Sequence, residues 1–231
     1  MANHLIIGGS SGIGQALATH LAAAGHNVIA TYRNHPTEDK ANLQYHPLDV
    51  LSETLSLDFL PDILDGLVYC PGSINLKPFG RLAPTDFAAD YNLNVGGAVR
   101  VLQAVLPRLK ESANASVVFF STVAVGLGLP FHAQVAASKG AIEGITRALA
   151  AELAPKVRVN CIAPSLTDTP LAAALVSTPE KREAAGQRHP LKRIGTSTDI
   201  AAMAEFLLSE KAGWITGQVM KVDGGMSAVR V

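Results

Sequence analysis

A doubly wound α/β fold, one parallel sheet covered by helices on both faces, is predicted by three features of the chain. Short apolar runs of strand length alternate with stretches whose apolar residues recur at helical spacing. The first run ends in glycines that lead straight into a helical stretch. The 231 residues are 48% hydrophobic and 16% charged, enough to bury a substantial core in a single domain spanning residues 1–231.

The elements follow in order. Asn3 to Ile7 reads as the first strand, and Ile13, Leu17 and Leu21 then share one helical face until Gly25 ends the pattern. Val28 to Thr31 is a second strand. The Arg33 to Asn42 connection carries Pro36 and many polar residues, which leaves little room for a full crossover helix. Leu64 to Cys70, Ser116 to Ser121 and Val157 to Ile162 read as later buried strands, interleaved with helices from Asn94 to Lys110 and Ala136 to Leu153. Val219 to Val222 closes the series. Strands buried on both faces call for right-handed crossovers between them. Ser177 to Ser197, with Pro179, Gly186, Pro190 and Gly195, is the most loop-like later region and is read as a possible lid.

Charge and cysteine usage exclude several classes. Nineteen Lys+Arg balance nineteen Asp+Glu, which argues against nucleic acid as a partner. Cys70 and Cys161, at the ends of buried strands, are far apart and outside any CxxC pair, so neither a disulfide nor a metal site is expected. The segment Ser112 to Ser138 contains no Asp, Glu, Lys or Arg. Ser121, Thr122, Gly126, Gly128, Pro130, His132 and Gln134 interrupt it, so it is read as strand, loop and helix rather than a membrane span. The amino terminus lacks the basic patch and apolar run of a signal peptide, and a cytoplasmic setting is expected.

Gly8-Gly9-Ser10-Ser11-Gly12-Ile13-Gly14 lies between the first strand and the first helix. Gly8 permits the turn, Gly12 lets the backbone approach a phosphate, and Gly14 lets the helix pack closely; the helix N-terminus favours an anion. The GxxxGxG spacing resembles the fingerprint of the short-chain dehydrogenase/reductase family. Further segments match that family in order: Leu48-Asp49-Val50, Asp65-Gly66-Leu67-Val68, Asn94-Val95-Gly96-Gly97, Ala136-Ala137-Ser138-Lys139-Gly140-Ala141, Pro164-Ser165-Leu166-Thr167-Asp168-Thr169, Ile215-Thr216-Gly217-Gln218 and Val222-Asp223-Gly224-Gly225. The resemblance implies a Rossmann-like domain that binds a nicotinamide dinucleotide. Gly8, Ser10, Ser11, Gly12, Ile13, Gly14, Asp49, Val50, Cys70, Gly72, Lys139, Pro164, Thr167 and Thr169 would contact it, and dimers or tetramers would form through the two long helices.

An acidic residue after the second strand of such folds holds a ribose 2′-OH, whereas a basic one accommodates a 2′-phosphate. The strand here ends Thr31-Tyr32-Arg33. NADP(H) is therefore expected, held by Arg33, with NAD(H) the alternative if Arg33 is an ordinary solvated charge.

The resemblance also implies a catalytic Asn, Ser, Tyr and Lys. Lys139 and Asn94 match, and Thr122 stands at the serine's place, with Ser121 its neighbour. Four residues before Lys139, where the family has its tyrosine, the chain has Val135, which can neither give nor take a proton. His132, seven residues before Lys139, is near the same helical face; the enoyl reductase branch of the superfamily places its tyrosine at that spacing. Lys77, Arg81 and Arg100 are read as solvated charges, and Tyr69 as packing. The expected function is an NADP(H)-dependent oxidoreductase acting on a carbonyl or conjugated enoyl substrate, using Asn94, Thr122 and Lys139 with His132 or water as proton donor. The alternative is a cofactor-binding protein without turnover.

Overall fold

The computed structural model describes residues 1–34 and 36–230. Seven strands form one parallel sheet: β1 Asn3–Ile7, β2 Asn27–Tyr32, β3 Leu43–Pro47, β4 Gly66–Tyr69, β5 Ala115–Phe120, β6 Val157–Pro164 and β9 Val219–Val222. Their order across the sheet is β3-β2-β1-β4-β5-β6-β9. Two short strands, β7 Thr167–Asp168 and β8 Gly195–Thr196, pair separately beyond β6. The helices are α1 Gly12–Ala23, α2 Pro84–Tyr91, α3 Gly97–Lys110, α4 Ala124–Leu127, α5 Ala133–Leu153, α6 Pro179–Gln187 and α7 Ser197–Leu208.

Alternate strand residues feed two cores. Leu5 and Ile7 of β1, Leu67 of β4 and Val117 and Phe119 of β5 pack with Ala98, Val101 and Val105 of α3 and Ile142 of α5. Ile6, Val68 and Val118 face the other way, onto Leu17 and Leu21 of α1 and Ile200, Ala204 and Leu207 of α7. Full burial on both faces is why these strands read as apolar runs rather than as alternating ones.

The expected strands are all present. Among the described residues no helix joins β2 to β3, in line with the polar connection that carries Pro36; His35 of that connection lies outside the described residues. Two expectations need correction. Ser177 to Ser197 is not mainly loop, because α6 occupies Pro179–Gln187. Its sequence PEKREAAGQ has no apolar stripe, and it starts at Thr178, whose side chain accepts from the Lys181 amide, with a proline in the first turn. Cys161 lies inside β6 rather than at a strand end.

Candidate active site

The carboxyl ends of β1, β2, β4, β5 and β6 border one cleft of about 780 Å³. Its first wall is the glycine turn. Gly8 and Gly12 have φ of +75° and +52°, conformations that L side chains rarely adopt. A Cβ on Gly14 would overlap the Gly8 carbonyl. Gly9 N donates to Thr31 O at 2.9 Å and Gly8 N to Thr31 Oγ1 at 3.2 Å, which ties the turn to β2. The first turn of α1 carries no acidic residue, and the side chain of Ser11 at its N-cap makes no capping bond. Free amides at a helix start, without a competing carboxylate, fit a dinucleotide's pyrophosphate. Arg33 lies on the same wall just beyond β2. It makes only a loose 3.9 Å pair with Asp49, both side chains being well exposed.

The floor is formed by the loop after β4, the start of α3 and the first turns of α5. Before α3, Asn92–Gly96 forms a π-helical turn. Asn94 is fully buried there, and its Nδ2 donates to Asp90 O at 2.9 Å while its Oδ1 has no partner among the described residues. Lys139, on α5, is 9% exposed. Burial pushes its ammonium down to about 8, an effect opposed by Cys161, Asp90 and Cys70. The two groups converge at Gly72. A Cβ there would stand 3.3 Å from Asn94 Oδ1 and 3.4 Å from Lys139 Nζ. Val135, one turn before Lys139, is 8% exposed and lines the cleft.

Of the residues singled out in the sequence, Gly8, Ser10, Ser11, Gly12, Ile13, Gly14, Arg33, Val50, Cys70, Gly72, Thr122, His132, Lys139, Pro164, Thr167 and Thr169 all line this one cleft. Asp49 and Asn94 do not. Asp49 accepts from Leu51 N outside the wall, and Asn94 sits just beneath it. Thr122 Oγ1 makes a long 3.3 Å contact with Ala124 N, while Ser121 is committed to Glu143 Oε1 at 2.8 Å. His132 begins α5, and its Nδ1 bonds Pro130 O at 2.7 Å. Cys70 is pushed up to about 12 by burial, so its thiol stays protonated and unreactive near neutral pH.

Several contributors escaped the sequence. Arg100 is not a solvated charge: its guanidinium donates to Val50 O at 2.9 and 3.2 Å and reaches Asn92 Oδ1, fixing the wall beside Val50. Ser165 bonds His189 Nε2 at 2.8 Å, and His189 Nδ1 bonds Ala185 O at 2.9 Å, linking the end of β6 to α6. Lys181 of α6 and Arg188 just after it line the cleft; among its described lining residues there is no carboxylate.

A family model described as enoyl-(acyl carrier protein) reductase matches residues 8–227. The 3-oxoacyl-(acyl-carrier-protein) reductase FabG of Thermotoga maritima is 33% identical over 240 residues, 96% of each chain. The ligand-free aldohexose dehydrogenase of Thermoplasma acidophilum superposes with a TM-score of 0.92 at 28% identity, covering 99% of this chain and 95% of that one. ElxO with NADP bound gives a TM-score of 0.90 at 26% identity, covering 99% of this chain and 100% of that one.

Proposed function

The chain belongs to the short-chain dehydrogenase/reductase family and is an NAD(P)-dependent oxidoreductase of that type; on that premise we propose that it moves hydride between NADP(H) and a carbonyl or conjugated enoyl group of a small substrate, with a proton donor other than a tyrosine at position 135. One observation carries the reading. Lys139 Nζ and Asn94 Oδ1 meet under Gly72 on the floor of a cleft continuous with the glycine cradle.

When bound, the nicotinamide supplies or accepts the hydride. The chain's own residues do the rest. The turn Gly8 to Gly14 takes the pyrophosphate, Arg33 the 2′-phosphate, and Val50, Cys70, Pro164, Thr167 and Thr169 line the remaining contact surface. The NADP-bound ElxO supports the same preference, with NAD(H) the weaker ligand. Lys139 places a positive charge beside the oxygen that becomes negative, and Thr122 offers a hydroxyl donor there. An enolate formed by hydride addition to a conjugated alkene needs that oxyanion support, and its carbon can take a proton from water. Ile74, Leu76, Leu129, Leu171 and Leu175 with Lys181 and Arg188 suit a substrate with an apolar body and an anionic end. Membership of the family favours a homodimer or homotetramer, working in the cytoplasm.

Val135 favours a second reading, in which the chain binds NADPH without turnover and serves as a partner subunit. The deciding experiment follows NADPH consumption by the purified chain with matched panels of ketones and enoyl thioesters, alongside Lys139→Ala. Turnover that disappears in the variant is the expected result. NADPH binding without turnover on either panel moves the conclusion to the partner subunit.

A further inference from the structure

We propose that Ser73, backed by Asp90, carries the proton to and from the substrate oxygen, an assignment that rests on the oxidoreductase reading above. Ser73 follows Gly72 and lines the cleft, one residue from the point where Lys139 Nζ and Asn94 Oδ1 converge. Its hydroxyl donates to Asp90 Oδ1. Asp90, in the last turn of α2, is 4% exposed. Its other oxygen, Oδ2, has no hydrogen-bond partner among the described residues.

A buried carboxylate is costly unless it is paired and fully hydrogen-bonded. Here one oxygen holds a single hydroxyl and the other is bare, and Lys139 is the cation whose charge it supports. That is a poor arrangement for stability, because an apolar residue at this helical position would fill the same space without the penalty. It is a serviceable arrangement for a proton. The carboxylate polarises the hydroxyl of a residue that lines the cleft. His132 also lines the cleft, and its Nδ1 bond to Pro130 O leaves Nε2 as a competing proton carrier, so it enters the test below.

In the oxidative direction the substrate O–H bond breaks and its proton passes to Ser73 Oγ. The proton of Ser73 moves to Asp90 Oδ1, the C–H bond breaks, and its electron pair leaves as hydride to the oxidised nicotinamide while C=O forms. Asp90, now a neutral acid, returns its proton to water by way of Ser73. Reduction runs the same transfers backwards. Ser73 is the group that touches substrate, and Asp90 acts through it.

The test uses the full chain and whichever panel it turns over. Ser73→Ala and Asp90→Asn are each expected to lower kcat about 100-fold while KM and NADPH affinity stay within about threefold. The double variant is expected to lose no more than either single one, because the two groups act as a unit. Infrared difference spectra of the substrate-free protein supply a readout independent of turnover: a carboxyl band that disappears in Asp90→Asn is expected to shift in Ser73→Ala. Near-normal kcat in either single variant, losses that multiply in the double, an unshifted band, or an equal loss in His132→Gln overturns the relay with the oxidoreductase reading intact. A wild-type chain that consumes no NADPH with either panel overturns that reading, and the relay with it.

Discussion

The two ends of the parallel sheet handle their buried charges differently. At the amino end, Arg158 of β6 is 8% exposed, and its two terminal nitrogens donate to the carbonyls of Leu207, Ala212 and Ser209 at 2.9, 3.0 and 3.3 Å, while its Nε, like His4 Nδ1, has no partner among the described residues. Asp65 accepts from Asn3 N and from Ser112 Oγ. These charges are spent on closing helix and strand ends. At the carboxyl end, Lys139 is almost as buried, yet among the described residues its Nζ donates no hydrogen bond. Asn94 Oδ1 and Asp90 Oδ2 beside it are bare. A buried charge tied to several carbonyls holds the fold, whereas one set against a cleft beside bare acceptors is available to a ligand.

The sharpest way to break this contrast is to remove the cation at each end. Arg158→Met removes the guanidinium's bonds to these carbonyls, each of which keeps one other donor, Ser116 Oγ, Ile215 N or Ala212 N, and is expected to cost about 1–3 kcal/mol of stability, seen as a lower urea midpoint with NADPH affinity unchanged in the folded fraction. Lys139→Met relieves a desolvated charge but deprives Asp90 of its cation, and is expected to lower the midpoint less than Arg158→Met does, while turnover falls by about 10²–10⁴. Equal stability losses at both positions would erase the distinction.

Val135→Tyr sharpens the carboxyl end. It places a phenol one helical turn from Lys139 on the cleft wall, and ketone reduction is expected to rise about 100-fold. The gain should fade as pH rises past about 8, where Lys139 loses the charge that lowers the phenol's pKa. A flat profile, or no gain in a folded variant, would mean that more than the acid is missing.

The amino end makes its own pH prediction. His4, 3% exposed and edge-on to His26 at 5.1 Å, is pushed down to about 4 by burial, then by His26, with Asp65 opposing. Its folded pKa lies below the unfolded value near 6.5, so the unfolded chain binds more protons between the two. Stability is therefore full above about pH 6.5 and declines as pH falls toward 4, by about 3 kcal/mol from this residue. His4→Leu is expected to flatten that decline in urea titrations at pH 7 and pH 5; an unchanged slope would acquit His4.

What could be read in advance depended on whether the cause was local. The strands and the glycine turn announce themselves because burial on both faces and positive φ constrain residue type at each position. That Val135 stands one turn before Lys139 on the cleft wall follows from helical spacing alone. The strand β3 was not, since LQYHP lies at the sheet edge, half exposed, and carries a proline. Helix α6 was hidden by its uniformly polar face, and the π turn at Asn92–Gly96 leaves no periodic trace. The bonds of Arg100 to Val50, Ser165 to His189 and Ser73 to Asp90 join residues 50, 24 and 17 positions apart. Only the packed chain brings those pairs together, and they lie where polar side chains surround the cleft.

The smallest expected effect is at the exposed rim, where the contrast between the ends should be weakest. Arg33 stands 3.9 Å from Asp49 with both side chains well exposed, a pair worth little to the fold. Arg33→Glu is therefore expected to leave the urea midpoint unaltered. A ligand carrying a 2′-phosphate would meet a carboxylate instead of a guanidinium, and NADPH affinity is expected to fall about 10-fold, or roughly 1.4 kcal/mol. NADH, which lacks that phosphate, should bind as before or better, because a carboxylate at this place can accept from the free 2′-OH. Fluorescence titration of both cofactors against wild type and variant measures the ratio. Equal losses for the two would remove Arg33 from the cofactor site and leave it a surface charge.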